Sequence, residues 1–295
     1  MSKNDHRTTL KSTLAGGLVG LTALAGLGAG AAAAETWPDL PKGIKNGIGV
    51  QVEDRLIVGL GSAGTELYAL DLDDRAAGWR ALSPFTGPAP SQPAAAASGG
   101  KLYVFSGSGL PAADAKAPIV FDTVYSYDPK ADAWAQVDTT TPVGLLGASA
   151  FALPDGRIAI VGGYNKDLFD RYLAEVTPID KTAEPDRYAQ VVAAYMGMEP
   201  KDYRWNDKVR VYDPASNSWG ELGPNPYLPN TGAGLVPMAD GEVLVVNGEV
   251  KPGLRTDEVK SLKVAADAAE WAELPPVPAL SLIHISEPTR LLSIS

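Results

Sequence analysis

Residues Ile158–Gly163 read "IAIVGG", a short apolar run closed by two glycines. Short apolar runs bounded by Gly, Pro and Asp mark β-strands rather than helices. The pattern recurs in "LIVGLG" at Leu56–Gly61, "LYVFSG" at Leu102–Gly107 and "VLVVNG" at Val243–Gly248. After each comes a second strand, "LYALDL", "VYSYDP", "VRVYDP" or "VKSLKV", and then Trp79, Trp134, Trp219 or Trp271. The order never changes across the four units between Lys42 and Pro278. Aspartate-proline turns before Trp134 and Trp219, each Trp six residues after its Asp, suit hairpins. Glycine lets the backbone pass close to neighbouring strands, and an indole between adjacent sheets fills the gap. These requirements predict an all-β propeller built from repeated blades.

The repeats resemble kelch motifs, whose marks are a di-glycine and a spaced Tyr and Trp. Only Gly162-Gly163 keeps the strict pair, so the resemblance rests on four units in register. The third unit is swollen: Gly163 and Trp219 are 56 residues apart, against 27 for Gly107 and Trp134. An insertion over about 164–207 is therefore expected. Within it "AEPDRYAQVVAAYMG" sets Tyr188, Val191, Val192 and Tyr195 at helical spacing, with Pro185 for a first turn and Gly197 for a stop. The helix is expected to pack on the propeller, with lidding of a site as an additional role.

The 295-residue chain carries a formal charge of -10, which argues against nucleic acid as a partner. It has no cysteine, so thiolate metal sites, disulfides and cysteine nucleophiles are excluded. Its two histidines, His6 and His284, both lie outside the repeats, which removes His-based metal sites and Ser/His catalysis; no metal is expected. Residues 1–34 carry a basic stretch, an apolar Gly- and Ala-rich run and "AAAA", the pattern of a signal peptide cleaved near Ala34. A membrane anchor is the other reading of that run; after cleavage no membrane association is expected. The repeat domain then occupies 35–279. The last residues, "LSLIHISEPTRLLSIS", match nothing upstream. Back-translated, they resemble a transposon-end adapter of sequencing libraries, so 280–295 are expected to be non-native.

The candidate chemistry lies in "NGEVKPGLRTD", Asn247–Asp257. Pro252-Gly253 suits the centre of a type II turn, because Pro presets φ and Gly accepts the positive φ that follows. Such a hairpin brings Glu249 and Arg255 onto neighbouring strands. By spacing alone they form an ordinary surface ion pair worth ~0–1 kcal/mol.

Together "GLGSAGTELYALDL", "NGEVKPGLRTDEV" and the insert before "NDKVRVYDPASNSW" resemble the N-acetylneuraminate epimerase family of exported sialic acid mutarotases, over about Asn46–Pro275. The resemblance implies a kelch-type β-propeller of six blades, of which about four are present. It implies an isomerase that interconverts α and β anomers of sialic acid in the periplasm without a cofactor. Glu249 would be the proton acceptor and Arg255 the partner of the substrate carboxylate. Asn165 and Asn247, at strand ends, are further substrate-binding candidates, with turn stabilisation as the other reading. No arginine stands near Ser91, where the family commonly has one. A homodimer is also allowed for. With four blades of six, the chain is expected to be an open ring, poorly stable and inactive. The alternative is a non-catalytic kelch module that binds glycans or proteins through its rim loops.

Overall fold

In "IAIV" every residue is buried, and the reason is that this strand has a neighbouring blade on each side. The computed structural model describes residues 37–238, 241–265 and 267–278. The leader expected over 1–34 and the tail expected over 280–295 lie outside the described residues.

Among the described residues, four antiparallel four-stranded blades follow one another along the chain. The first is β1 (Ile48–Val52), β2 (Arg55–Gly59), β3 (Leu67–Asp71) and β4 (Trp79–Ala81), paired in that order. The second has β5 (Ala94–Ser98) and β6 (Lys101–Phe105), a short ribbon of β7 (Ser108–Gly109) and β8 (Ile119–Val120), then β9 (Thr123–Asp128) and β10 (Ala133–Thr140). Its sheet order is β5-β6-β9-β10. The third comprises β11 (Ser149–Ala152) and β12 (Ile158–Val161), helices α1 (Lys166–Val176) and α2 (Pro185–Met196), then β13 (Lys208–Asp213) and β14 (Ser218–Pro224). The fourth is β15 (Gly234–Pro237) and β16 (Glu242–Val246), the hairpin β17 (Glu249–Lys251) and β18 (Leu254–Arg255), then β19 (Val259–Ala265) and β20 (Ala268–Leu274). Ribbon, helices and hairpin all leave between the second and third strands of a blade. They therefore project from one face of the propeller.

The expected helix is α2, with Pro185 in its first turn and Gly197 as its C-cap. The sequence reading had no counterpart for α1, although Phe169, Tyr172 and Val176 recur at helical spacing there.

The hydrophobic core lies between blades. Ile57, Leu67 and Ala69 pack with Leu102, Val104 and Tyr127 across the first interface. Ile158 and Ile160 face the second blade, packing with Phe105 and Val124, whereas Ala159 and Val161 face the fourth, packing with Val243 and Val245. Alternation along one strand thus serves two interfaces. Trp134, Trp219 and Trp271 sit in these seams. Trp134 and Trp219 lie 5.0 Å from Tyr127 and Tyr212 of their own blades. Each indole N–H reaches back to the preceding blade, Trp134 to the Ser83 carbonyl at 3.1 Å and Trp219 to Thr139 Oγ1 at 3.2 Å.

A second blade-to-blade bond is made by the backbone. Just before the first strand of each blade stands a residue with left-handed backbone: Asn46, Gln92, Gly147 and Gly232. The Gln92 N–H donates to the Asn46 carbonyl (2.7 Å), Gly147 to Gln92 (2.9 Å), and Gly232 to Gly147 (2.7 Å). This relay steps from blade to blade past the innermost strands.

The di-glycine position is equally regular. Leu60-Gly61, Ser106-Gly107, Gly162-Gly163 and Asn247-Gly248 all have positive φ at both residues. Asn is the side chain that best tolerates this region, which accounts for Asn247 in a glycine's place. Gly162 has a further reason to be glycine: a Cβ there would lie 1.8 Å from the Asn230 carbonyl oxygen of the chain entering the fourth blade. Gly162→Ala should therefore destabilise the protein by roughly 2–4 kcal/mol, combining overpacking with backbone strain. Gly220→Ala, whose Cβ would meet nothing within 4 Å, should stay within about 1 kcal/mol of the parent. Urea denaturation followed by circular dichroism measures both; equal midpoints for the two variants would refute the close-approach explanation.

Candidate active site

The residue after each positive-φ pair occupies the same place in every blade: Ser62, Ser108, Tyr164 and Glu249. Each sends its N–H to the residue preceding the relay position of its own blade, Lys45 (2.8 Å), Ser91 (2.9 Å), Leu146 (3.0 Å) and Thr231 (2.8 Å). These four positions thus sit beside the relay, on the face from which the insertions project.

The hairpin places Glu249. Lys251 pairs with Leu254 around Pro252-Gly253, and Gly253 has φ 78°, as a type II turn requires. Regular pairing would set Val250 opposite Arg255. A β-bulge removes Val250 from the ladder, and Glu249 pairs with Arg255 instead. Val250 is buried, while Glu249 Oε1 lies 3.5 Å from Arg255 Nη2, each side chain about one-fifth exposed (20% and 19%). The Glu249 backbone also bridges to Thr231, so the carboxylate stands on a strand anchored on both sides.

Tyr164 completes the cluster. Its hydroxyl donates to Glu249 Oε2 at 3.4 Å across 85 residues of chain. Its ring stacks on Trp205 (centroids 4.6 Å, 19°) and meets Phe169 edge-on at 5.0 Å. Behind these, Tyr172 and Tyr195 stack at 4.1 Å and the buried Tyr203 closes the nest. Burial, with the negative charge of Glu249 second, pushes the Tyr164 phenol well above its ordinary value. The insert is tied to both neighbours: Lys251 Nζ donates to the Met198 carbonyl (3.0 Å), and Asp170 accepts from the Val120 N–H of the ribbon (2.7 Å).

The two asparagines expected at the site are not equivalent in the structure. Asn247 matches Gly162 in the blade repeat, whereas Asn165 matches Val250. Asn165 Oδ1 caps α1 by accepting from the Leu168 N–H at 3.0 Å. Asn247 is buried, donates its N–H to the Glu258 carbonyl and accepts from Asn230 Nδ2 at 2.8 Å. Asn230 in turn accepts from Lys260 Nζ at 2.6 Å. Lys260 is fully buried in β19, and burial lowers its ammonium from the ordinary lysine value, opposed by the ion pair to Glu258 at 3.0 Å. It also donates to the Leu228 carbonyl, so it holds the chain beneath Asn247-Gly248.

The structure brings together Glu249 and Arg255, as the hairpin reading expected, and adds Tyr164 and Lys260, which that reading did not name. The signal for Tyr164 was available: it follows the di-glycine as Glu249 follows Asn247-Gly248. For Lys260 the sequence offers little: "VKSLKV" carries two lysines and a serine, and nothing in it says which lysine is buried.

Fold and site define a kelch-type β-propeller whose insertion-bearing face presents a carboxylate between a phenol and a guanidinium. The family model described as N-acetylneuraminate epimerase matches residues 37–285, and the chain belongs to that family. It is 54% identical over 263 residues to the N-acetylneuraminate epimerase of Brucella melitensis biotype 1, covering 89% of this chain and 68% of that protein. The corresponding protein of Vibrio cholerae serotype O1 is 44% identical over 251 residues, 85% and 65% of the two chains. Among solved structures, "Structure of YjhT" superposes with a TM-score of 0.76 at 32% identity, over 83% of this chain and 68% of that one. The chain thus spans about two thirds of the length of these relatives.

The buried phenols make stability pH-dependent. Tyr127, Tyr164 and Tyr195 are all raised above 10.0, chiefly by burial. Unfolded tyrosines ionise first, so their contribution is intact below about pH 10 and is lost as pH rises further. Absorbance at 295 nm should rise together with loss of the circular dichroism signal; free titration of all tyrosines near pH 10 with the fold intact would refute this.

Proposed function

We propose that this protein interconverts the α and β anomers of N-acetylneuraminate, with Glu249 as proton acceptor and Arg255 as the anchor of the sugar's carboxylate. The observation that carries the reading is the bulge-enforced pairing of Glu249 with Arg255 on the insertion-bearing face of a propeller of this family. Opening of the hemiketal ring takes the proton from the anomeric hydroxyl as the C–O bond breaks, and reclosure on the other face returns it. Such a reaction needs a base, an acid and a fixed orientation. The anomeric carbon also bears a carboxylate, and a planar guanidinium recognises that group in bidentate fashion better than an ammonium does.

Arg255 restrains Glu249 until substrate arrives. At 3.5 Å and an effective dielectric near 20, their attraction is about 5 kcal/mol before desolvation opposes it. Once the substrate carboxylate engages Arg255, Glu249 faces a neutralised cation and becomes the stronger base. The basic and apolar pattern over residues 1–34 supports a periplasmic setting, where anomers would be equilibrated before uptake.

The test is NMR of freshly released α-anomer with the full-length gene product. Glu249→Gln should lower kcat at least ~10²-fold with KM little changed. Arg255→Lys should raise KM ~10-fold with a smaller effect on kcat. Unmodified protein that binds the sugar without accelerating its equilibration would replace this reading with that of a binding module.

A further inference from the structure

We propose that Tyr164 is the acid of the reaction: its hydroxyl protonates the ring oxygen as the ring opens, and its contact with Glu249 returns the proton. The proposal rests on the mutarotase reading above and deepens it. The base and the acid must serve two oxygens bonded to the same carbon, the anomeric hydroxyl and the ring oxygen. They must therefore be neighbours. Tyr164 and Glu249 are placed so by the fold, at the equivalent position of adjacent blades, with hydroxyl and carboxylate 3.4 Å apart. The aromatic nest around Trp205, Phe169, Tyr195 and Tyr203 holds the ring of Tyr164 in one place.

The proton accounting closes within this pair. The anomeric O–H proton passes to Glu249, the anomeric carbon becomes a ketone, and the electron pair of the broken C–O bond goes to the ring oxygen. In the resting site the Tyr164 hydroxyl donates to Glu249 Oε2. As the carboxyl takes that proton it becomes a far poorer acceptor, so the phenol's hydrogen passes to the ring oxygen in the same step. The resulting phenolate recovers its proton from the neutral Glu249 carboxyl over the same contact. Rotation about the bond beside the ketone presents its other face, and the steps run backwards. Nothing is consumed and no further acid is required. Burial keeps the phenol protonated until that moment.

Tyr164→Phe keeps the stacking ring and removes only the hydroxyl. In the full-length gene product it should lower kcat ~10²-fold or more, leave KM within about 2-fold and leave the thermal midpoint in place. A purely structural tyrosine would not produce that split. A second measurement needs no variant: kcat in mixtures of light and heavy water should show a curved dependence, because two protons move in concert. Full activity in Tyr164→Phe, or a linear dependence in the unmodified protein, would overturn the proposal while leaving Glu249 as base. Failure of the unmodified protein to accelerate equilibration would overturn the mutarotase reading, and the proposal with it.

Discussion

Everything on the functional face hangs from the backbone relay of Asn46, Gln92, Gly147 and Gly232. A β-sheet blade buries its faces readily, but its inner strand needs something to set its height against the next blade. Apolar packing is non-directional and sets that height poorly. A 2.7–2.9 Å bond between an amide and a carbonyl of successive blades sets it well. Left-handed backbone at each relay residue turns the peptide groups towards the neighbours, and the residues one place before them receive the N–H groups of Ser62, Ser108, Tyr164 and Glu249. The site is thus a by-product of how blades are held together.

The seams explain why insertions are tolerated. Each interface has its own apolar cluster and its own indole, and the first two add a left-handed polar residue reaching back, Asp132 accepting from the Ser83 N–H and Asn217 donating to the Asp138 carbonyl. Stability is then close to a sum of neighbouring interfaces, and a long excursion between second and third strands disturbs none of them. The third blade uses that freedom to build an aromatic nest from which the Tyr164 hydroxyl points at Glu249.

Glu249 lies between two donors of different character, a guanidinium that favours its charge and a phenol that donates a hydrogen bond to it. An isolated surface pair would contribute little. Here the bulge and the bridge to Thr231 fix the carboxylate before any ligand arrives, and such preorganisation is what makes a polar cluster useful for chemistry. Lys260, buried beneath the turn, stiffens the same strand end from below.

Local physics wrote much of this into the sequence. "IAIVGG" and its three relatives announced strands, the recurring Trp announced blades, and Pro252-Gly253 announced the hairpin that carries Glu249 and Arg255. Each of these needs only a few consecutive residues and a fixed stereochemistry. The tertiary structure decided the rest. Tyr164 joins Glu249 across 85 residues, because only blade-to-blade assembly makes their positions equivalent. Asn165 and Asn247, which look alike in sequence, separate into a helix cap and a buried left-handed turn residue. Glu249 faces Arg255 directly because Val250 gains more from burial than from staying in the ladder, a balance set by what lies beneath the hairpin.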